Sequence, residues 1–295
     1  ELSHCVPRSA RGPSECSPSL GVFAVPRSAR GPIRGIRVAL RTGDILFTRV
    51  EQQAMCTLTL AWQVFTDAPV VAAANRDEAR DRPSEPPSEI EPGVVAPRDA
   101  EAGGTWIGYT DDGLFAGLTN RWVEGLAGDR SRGLLVRDCL DHETATDAAR
   151  SVERSVVETE YDGFNLLLAD ETAAILLAWD GHLTVTTLGP GVHVLGNVGL
   201  NGAFDEPPQR PSAGPKQAAE ARRLRDHLQP EPGETADAWR DRAASALANH
   251  EFGVCVHGDG YGTVSASLVT LFADGEARYD FADGPPCETS FERVV

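Results

Sequence analysis

The chain has one lysine, Lys216, and one methionine, Met55, among its 295 residues. The other basic residues are arginines, and Lys plus Arg together number 27 against 44 Asp plus Glu, a formal net charge of −17. So few cations argue against nucleic acid or an anionic membrane as the main partner, because both are bound through clustered Lys and Arg. No apolar run approaches the roughly 18 residues that a membrane helix needs. The chain is therefore expected to be soluble, without a membrane span and cytoplasmic. Six cysteines (Cys5, Cys16, Cys56, Cys139, Cys255, Cys287) form no C-x-x-C pair and no zinc-type Cys/His spacing. The expectation is reduced thiols, with neither a disulfide frame nor a metal site. Dense carboxylates with almost no lysine fit a high-salt habitat, where self-repulsion is screened over roughly 3 Å at 1 M salt. An ordinary acidic protein from a GC-rich genome is the alternative.

What is present divides sharply near residue 54. The direct repeat Val6-Pro-Arg-Ser-Ala-Arg-Gly-Pro13 and Val25-Pro-Arg-Ser-Ala-Arg-Gly-Pro32 lies in a Pro/Arg/Ser-rich stretch. That stretch carries eight Arg and four acids, a net of +4, so residues 55–295 carry −21. Low complexity with a reversed charge sign marks a segment outside the fold, disordered or not translated. It lacks the 7–15-residue apolar core of a secretory signal. The expectation is that translation begins at Met55 and that one domain spans 55–295. Removal of the initiator before a small residue would then leave Cys56 with a free α-amino group.

Hydrophobic residues make up 41% of the chain, enough for a sizeable core. Short apolar or alternating runs predict strands at Cys56–Trp62, Pro69–Ala74, Thr105–Tyr109, Leu114–Leu118, Asn165–Ala169, Ala174–Asp180, Leu183–Thr187 and Val192–Leu195. Further strands are expected at Gly253–His257, Val264–Leu271 and Ala277–Phe281. Helices are expected at Arg132–Asp141, at Thr144–Glu158 with Thr144 as N-cap, and near Pro215–Leu228 and Glu234–Asn249. Asp81–Pro92 and Pro207–Pro215 are Pro-rich and predict loops. Antiparallel strands with grouped helices fit an α+β domain, a sandwich of two sheets between two helical layers being one arrangement among others.

Four features could carry chemistry. A terminal Cys56 would combine a thiol with an amine of pKa about 7.7–8.0, nucleophile and base in one residue; otherwise it is a buried core thiol. Asn75-Arg-Asp-Glu78 puts polar residues at the end of an apolar strand, a site wall or a solvated turn. Asn120, after Gly117-Leu-Thr, and Asn197, in Leu195-Gly-Asn, each sit at a strand end, where an amide can donate to an oxyanion or simply form a turn.

Taken in order, Met55-Cys-Thr-Leu, Asn75-Arg-Asp-Glu, Gly104-Thr-Trp-Ile-Gly, Leu118-Thr-Asn, Leu195-Gly-Asn and Tyr261-Gly-Thr resemble the NRDE family, which includes the transport-and-Golgi-organisation 2 proteins. The resemblance covers residues 55–295. That family is similar in turn to N-terminal-nucleophile (Ntn) hydrolases of the penicillin V acylase and bile-salt hydrolase type. The resemblance implies a four-layer αββα sandwich with antiparallel sheets and Cys56 as nucleophile. It implies Arg76 and Asp77, or Glu78 by a shift of register, supporting the terminal amine, Asn197 as the donor to the oxyanion and Asn120 near the oxyanion side. Many relatives carry an Arg after Tyr-Gly-Thr where this chain has Val264.

Two functions follow as expectations. One is a Cys56-dependent hydrolase of non-peptide amides acting on a small molecule without a cofactor. The other is a non-catalytic carrier of haem or an acyl lipid on the same fold, with His193, His250 or His257 as partners to Cys56.

Overall fold

The computed structural model describes residues 56–204, 206–207 and 211–294. The expected start at Met55, the repeat segment and the cysteines at 5 and 16 lie outside the described residues. The first strand, β1 (Thr57–Trp62), pairs antiparallel with β2 (Val70–Ala79) and with β10 (Gly191–Gly196). Strands β11 (Gly199–Leu200), β12 (Tyr261–Leu271), β13 (Ala277–Ala282) and β14 (Glu292–Arg293) complete a sheet of order β11-β10-β1-β2-β12-β13-β14. The second sheet runs in chain order. It comprises β3 (Ser84–Glu91), β4 (Val94–Asp99), β5 (Ile107–Thr110), β6 (Phe115–Asn120), β7 (Phe164–Ala169), β8 (Ala174–Trp179) and β9 (Leu183–Thr187). Every pairing in both sheets is antiparallel.

Side-chain alternation along the strands builds three apolar seams. Leu58, Leu60 and Trp62 meet Ile107, Phe115 and Leu167 between the sheets. Ala61, Val71 and Ala73 face α3 (Ala213–His227) and α4 (Ala236–Ala248), which contribute Leu224, Trp239 and Leu247. Ala96, Ala116 and Leu166 face α1 (Arg132–Cys139) and α2 (Ala145–Glu158), which contribute Leu135, Val136 and Val152. The layers thus run helices, sheet, sheet, helices: the αββα sandwich. Central strands covered on both faces need apolar residues at nearly every position, and all six residues of β1 and all six of β7 are buried. No helix among the described residues is long and apolar enough to cross a membrane.

Three expectations are corrected. The Pro/Glu-rich stretch expected as a loop is strand β3; it lies at the sheet edge, where proline costs no ladder bond, and its register shifts between Glu85 and Ser88, across Pro86 and Pro87. The strand expected over Gly253–His257 is a connection that follows a 3-10 turn (His250–Phe252), its one ladder contact being a bridge from His257 to Gly262. Asn75–Glu78 is neither strand end nor turn: β2 continues through it to Ala79, paired with β12.

Asp170 ties the β7–β8 turn to α2. Its carboxylate accepts from the amides of Ala145 (2.7 Å), Thr172 (2.6 Å) and Ala173 (2.8 Å) and from the Thr172 hydroxyl (2.7 Å). Burial opposes the charge, but these bonds outweigh it and hold the carboxyl below its ordinary range. Asp170→Ala is expected to cost about 2–3 kcal/mol at pH 7 in denaturant unfolding. Because the folded pKa is depressed, this stabilisation is present above the unfolded value near 3.9 and lost as pH falls through the folded one, so the gap between the two proteins should close in acid.

Candidate functional site

In β1, Leu58, Leu60 and Trp62 point between the sheets. Cys56 has the same parity and shares that face. In β2, Ala72 and Ala74 lie on the inter-sheet face, and Arg76 and Glu78 continue their row. The register pairs Thr57 with Asn75 and Leu58 with Ala74, so one further step sets Cys56 opposite Arg76. The two side chains project into a cleft of about 490 Å³, open mouth included, between the ends of the sheets. Leu58, Trp106 and Ile107 give the cleft an apolar wall, and Asn120 lies at its β6 side. Gly117 also lines it, and a Cβ there would sit 2.9 Å from Leu58 Cδ2, so glycine allows the close approach of β6.

Arg76 is 7% exposed, and its guanidinium lies 4.2 Å from the centre of the Trp106 ring. A cation over an indole face is attracted to the ring's negative quadrupole. Nη2 is 3.9 Å from Glu78 Oε2, while Nη1 is buried with no hydrogen-bond partner. Burial pulls the Arg76 pKa down, and Glu78 is the first group to oppose that. A guanidinium keeps its charge regardless. Among the residues lining the cleft, Arg76 is the one cation.

Asp77 also lines the cleft, but it has the opposite parity and is 1% exposed. Its Oδ1 accepts from Thr263 Oγ1 at 2.6 Å, and that hydroxyl oxygen accepts in turn from the Val256 amide at 2.9 Å. The Asp77 carbonyl accepts from Tyr261 Oη at 2.8 Å and from Cys56 Sγ at 3.4 Å. Burial pushes the Cys56 thiol up to about 12, with the Asp77 charge adding to it. Joined to Met55 by a peptide bond, Cys56 is therefore held as a neutral thiol.

The remaining expected residues divide. Asn120 lines the cleft with Cys56. Asn197, 3% exposed, donates from Nδ2 to the Asn120 carbonyl at 2.7 Å and lines an adjoining cleft with Arg121 and Trp122. It stands one layer behind Asn120. Asn75 faces the helical layer, where Nδ2 bonds the Leu247 and Val254 carbonyls at 3.0 and 2.8 Å. Val264 forms the bulge of β12, between Thr263 opposite Asp77 and Ser265 opposite Arg76. The position of the absent arginine thus lies against the Arg76–Asp77 step. None of the three histidines lines the Cys56 cleft. His193 bonds the Gly189 carbonyl at 2.8 Å and approaches Asn201 at 3.2 Å. His250 and His257 gather beside Cys255 and Cys287.

The family model described as Transport and Golgi organisation 2 matches residues 55–280. The chain belongs to this family. It is 30% identical over 237 residues to the human Transport and Golgi organization protein 2 homolog, covering 71% of this chain and 84% of that protein. The bovine homolog is 29% identical over 238 residues, with the same coverages. Among solved structures, the chain is similar to a Caenorhabditis elegans N-acylethanolamine-hydrolyzing acid amidase ortholog (TM-score 0.46, 13% identity, 72% of this chain and 92% of that one). It is also similar to a single-substitution variant of conjugated bile acid hydrolase from Clostridium perfringens (TM-score 0.47, 11% identity, 81% and 92%).

Trp106, Thr119, Tyr261, Thr263 and Asn165 also support the site, in roles that the sequence pattern alone does not give. Trp106, Thr119, Tyr261 and Thr263 lie inside the motifs Gly104-Thr-Trp-Ile-Gly, Leu118-Thr-Asn and Tyr261-Gly-Thr, which carry the signal without the roles. Asn165 shows no such signal. It spans the sandwich, Nδ2 donating to the Gly196 carbonyl at 3.2 Å on the opposite sheet, where Thr119 Oγ1 also donates at 3.2 Å.

A thiol moved from its ordinary 9.0 to about 12 holds about 10³-fold less thiolate at pH 8. In protein that keeps Met55, Cys56 should react with iodoacetamide at pH 8 at least 10²-fold more slowly than the same cysteine in the unfolded chain, read by peptide mass spectrometry.

Proposed function

We propose that the protein is an amide hydrolase acting on non-peptide C–N bonds of small acyl amides, with Cys56 as an N-terminal nucleophile. The observation that carries this is the projection of Cys56 and Arg76 from opposed positions of β1 and β2 into one cleft with an apolar wall. Apolar walls suit an acyl chain, and a buried cation beside a thiol favours the thiolate.

The chemistry needs Cys56 to be terminal. Its α-amine, with an ordinary pKa about 7.7–8.0, takes the thiol proton. The resulting ammonium offsets the burial that otherwise holds the thiol neutral, and the nearby Asp77 charge favours that ammonium. The thiolate attacks the amide carbonyl, forming a C–S bond and placing the negative charge on the carbonyl oxygen. Asn120, with Asn197 holding its carbonyl, is the proposed donor to that oxyanion, and Arg76 adds a positive charge nearby. Collapse breaks the C–N bond, the ammonium returns its proton to the departing amine, and water then hydrolyses the thioester to free acid and thiol.

One observation favours a second reading. With the peptide bond to Met55 intact, the raised thiol pKa leaves an unreactive cleft with an apolar wall, suited to binding an acyl lipid or haem without turnover. The two are separated by producing the chain from Met55, confirming methionine removal by mass, and screening acyl amides. Hydrolysis should vanish in Cys56→Ala and fall by about 10²–10³ in Asn120→Ala. Turnover that survives Cys56→Ala contradicts the hydrolase; tight acyl or haem binding with no turnover supports the carrier.

A further inference from the structure

On the far side of Asp77 the fold gathers four side chains that the proposed chemistry does not use. His250 comes from the 3-10 turn, Cys255 and His257 from the connection into β12, and Cys287 from the segment after β13. One ligand atom from each lies within 4.8 Å of all the others. Cys255 Sγ is 3.5 Å from Cys287 Sγ and 3.7 Å from His257 Nε2, and His257 Nε2 is 3.1 Å from Cys287 Sγ. The His250 and His257 rings meet edge to face with centroids 5.1 Å apart. In a tetrahedral zinc site with Zn–S about 2.3 Å and Zn–N about 2.0–2.1 Å, the ligand atoms stand about 3.3–3.8 Å from one another. The Cys255–Cys287 and Cys255–His257 pairs fall within that range, and the His257–Cys287 pair falls just below it.

We infer that His250, Cys255, His257 and Cys287 form a Cys₂His₂ site for a borderline-soft divalent cation, zinc by its donor set. Two thiolates and two imidazoles suit zinc rather than the hard cations, which prefer oxygen. A further contact fits the assignment. While His257 Nε2 faces the cysteines, Nδ1 stands 3.8 Å from Glu288 Oε1. Metal-binding histidines regularly turn the other ring nitrogen to a carboxylate, which fixes the tautomer and strengthens the ligand. The sequence hid the site because its spacing is irregular: His250 and Cys255 are five apart, and Cys287 follows His257 by 30 residues. Only the return of the chain after β13 brings Cys287 beside the others.

Four protein ligands leave no open position, so the site is structural rather than catalytic. It joins the C-terminal segment to the connection that enters β12. That connection is also tied to the candidate site, because the Val256 amide donates to Thr263 Oγ1, which donates to Asp77. A bound metal would therefore brace the support behind the Arg76–Asp77 step. The inference stands apart from the hydrolase proposal, since metal content is measured without any substrate.

The test is metal analysis of the full chain, purified under reducing conditions from zinc-supplemented cells. About one zinc per chain is expected, and cobalt substitution should give the visible absorption of a tetrahedral thiolate site. Cys255→Ser/Cys287→Ser and, separately, His250→Ala, whose side chain is exposed, should lose the metal while keeping the native circular dichroism. Chelation should lower the melting temperature of the wild type and leave the double variant unchanged. Zinc well below one-tenth per chain, zinc retained in the double variant, or a Cys255–Cys287 disulfide in the reduced preparation would overturn it.

Discussion

The pairing register of β1 against β2 is the constraint on which the site depends. Thr57 opposite Asn75 fixes the face on which every later residue of both strands lies. With this register Cys56 and Arg76 look into the cleft between the sheets, and Asp77 looks into the polar support behind it. A slip of one residue would turn Cys56 toward the helices and bury the thiol against α4. The register is enforced from both faces: Leu58, Leu60 and Trp62 fill the inter-sheet seam, while Ala61, Val71 and Ala73 fill the seam under α3 and α4. A strand packed on two sides has no neutral slip available, so the same burial that stabilises the sandwich aims the side chains of its candidate site.

The polar residues around the cleft have settled on cross-element bonds. Thr263 holds Asp77, Asn75 holds the end of α4, Asn165 bridges the two sheets, and Asn197 holds the strand end at Asn120. Each satisfies buried donors or acceptors whose loss would cost about 1–3 kcal/mol. Some buried polar atoms here have no hydrogen-bond partner, among them Oδ1 of Asn75 and of Asn197 and Nη1 of Arg76, and of these residues Arg76 is the cation that lines the cleft. A guanidinium with an unused donor beside an apolar wall is what a site for a polarised carbonyl or a developing negative charge would present.

Much of the fold could be read from the chain because the central strands are apolar at almost every position and the turns carry Gly, Asp and Pro. Thr144 was recognisable as the cap of α2, and its hydroxyl does accept from the Asp147 amide. What escaped had physical causes. Strand β3 is an edge strand rich in Pro and Glu, so its composition imitates a loop. Asn75–Glu78 reads as a strand end or a turn because four polar residues seldom continue a central strand; here their backbone pairs with β12, and Thr263 bonds the Asp77 carboxylate. Cys255 and His257 alternated like a strand yet turn together toward Cys287, a grouping set by tertiary return rather than local pattern. Of the expected site residues, Cys56, Arg76, Asp77 and Asn120 line one cleft, with the Asp77 carboxylate turned to Thr263, while Asn197 stands behind Asn120.

The proposed chemistry rests on Cys56 forming a covalent acyl intermediate in that cleft. The most direct measurement is rapid acid quenching of protein that begins at Cys56 during turnover of an acyl amide, followed by peptide mass spectrometry. The predicted result is a thioester of the acyl group on the peptide bearing Cys56, appearing within one turnover and absent from Cys56→Ala. Turnover with no acyl group on Cys56, or with the acyl group on another residue, would contradict it.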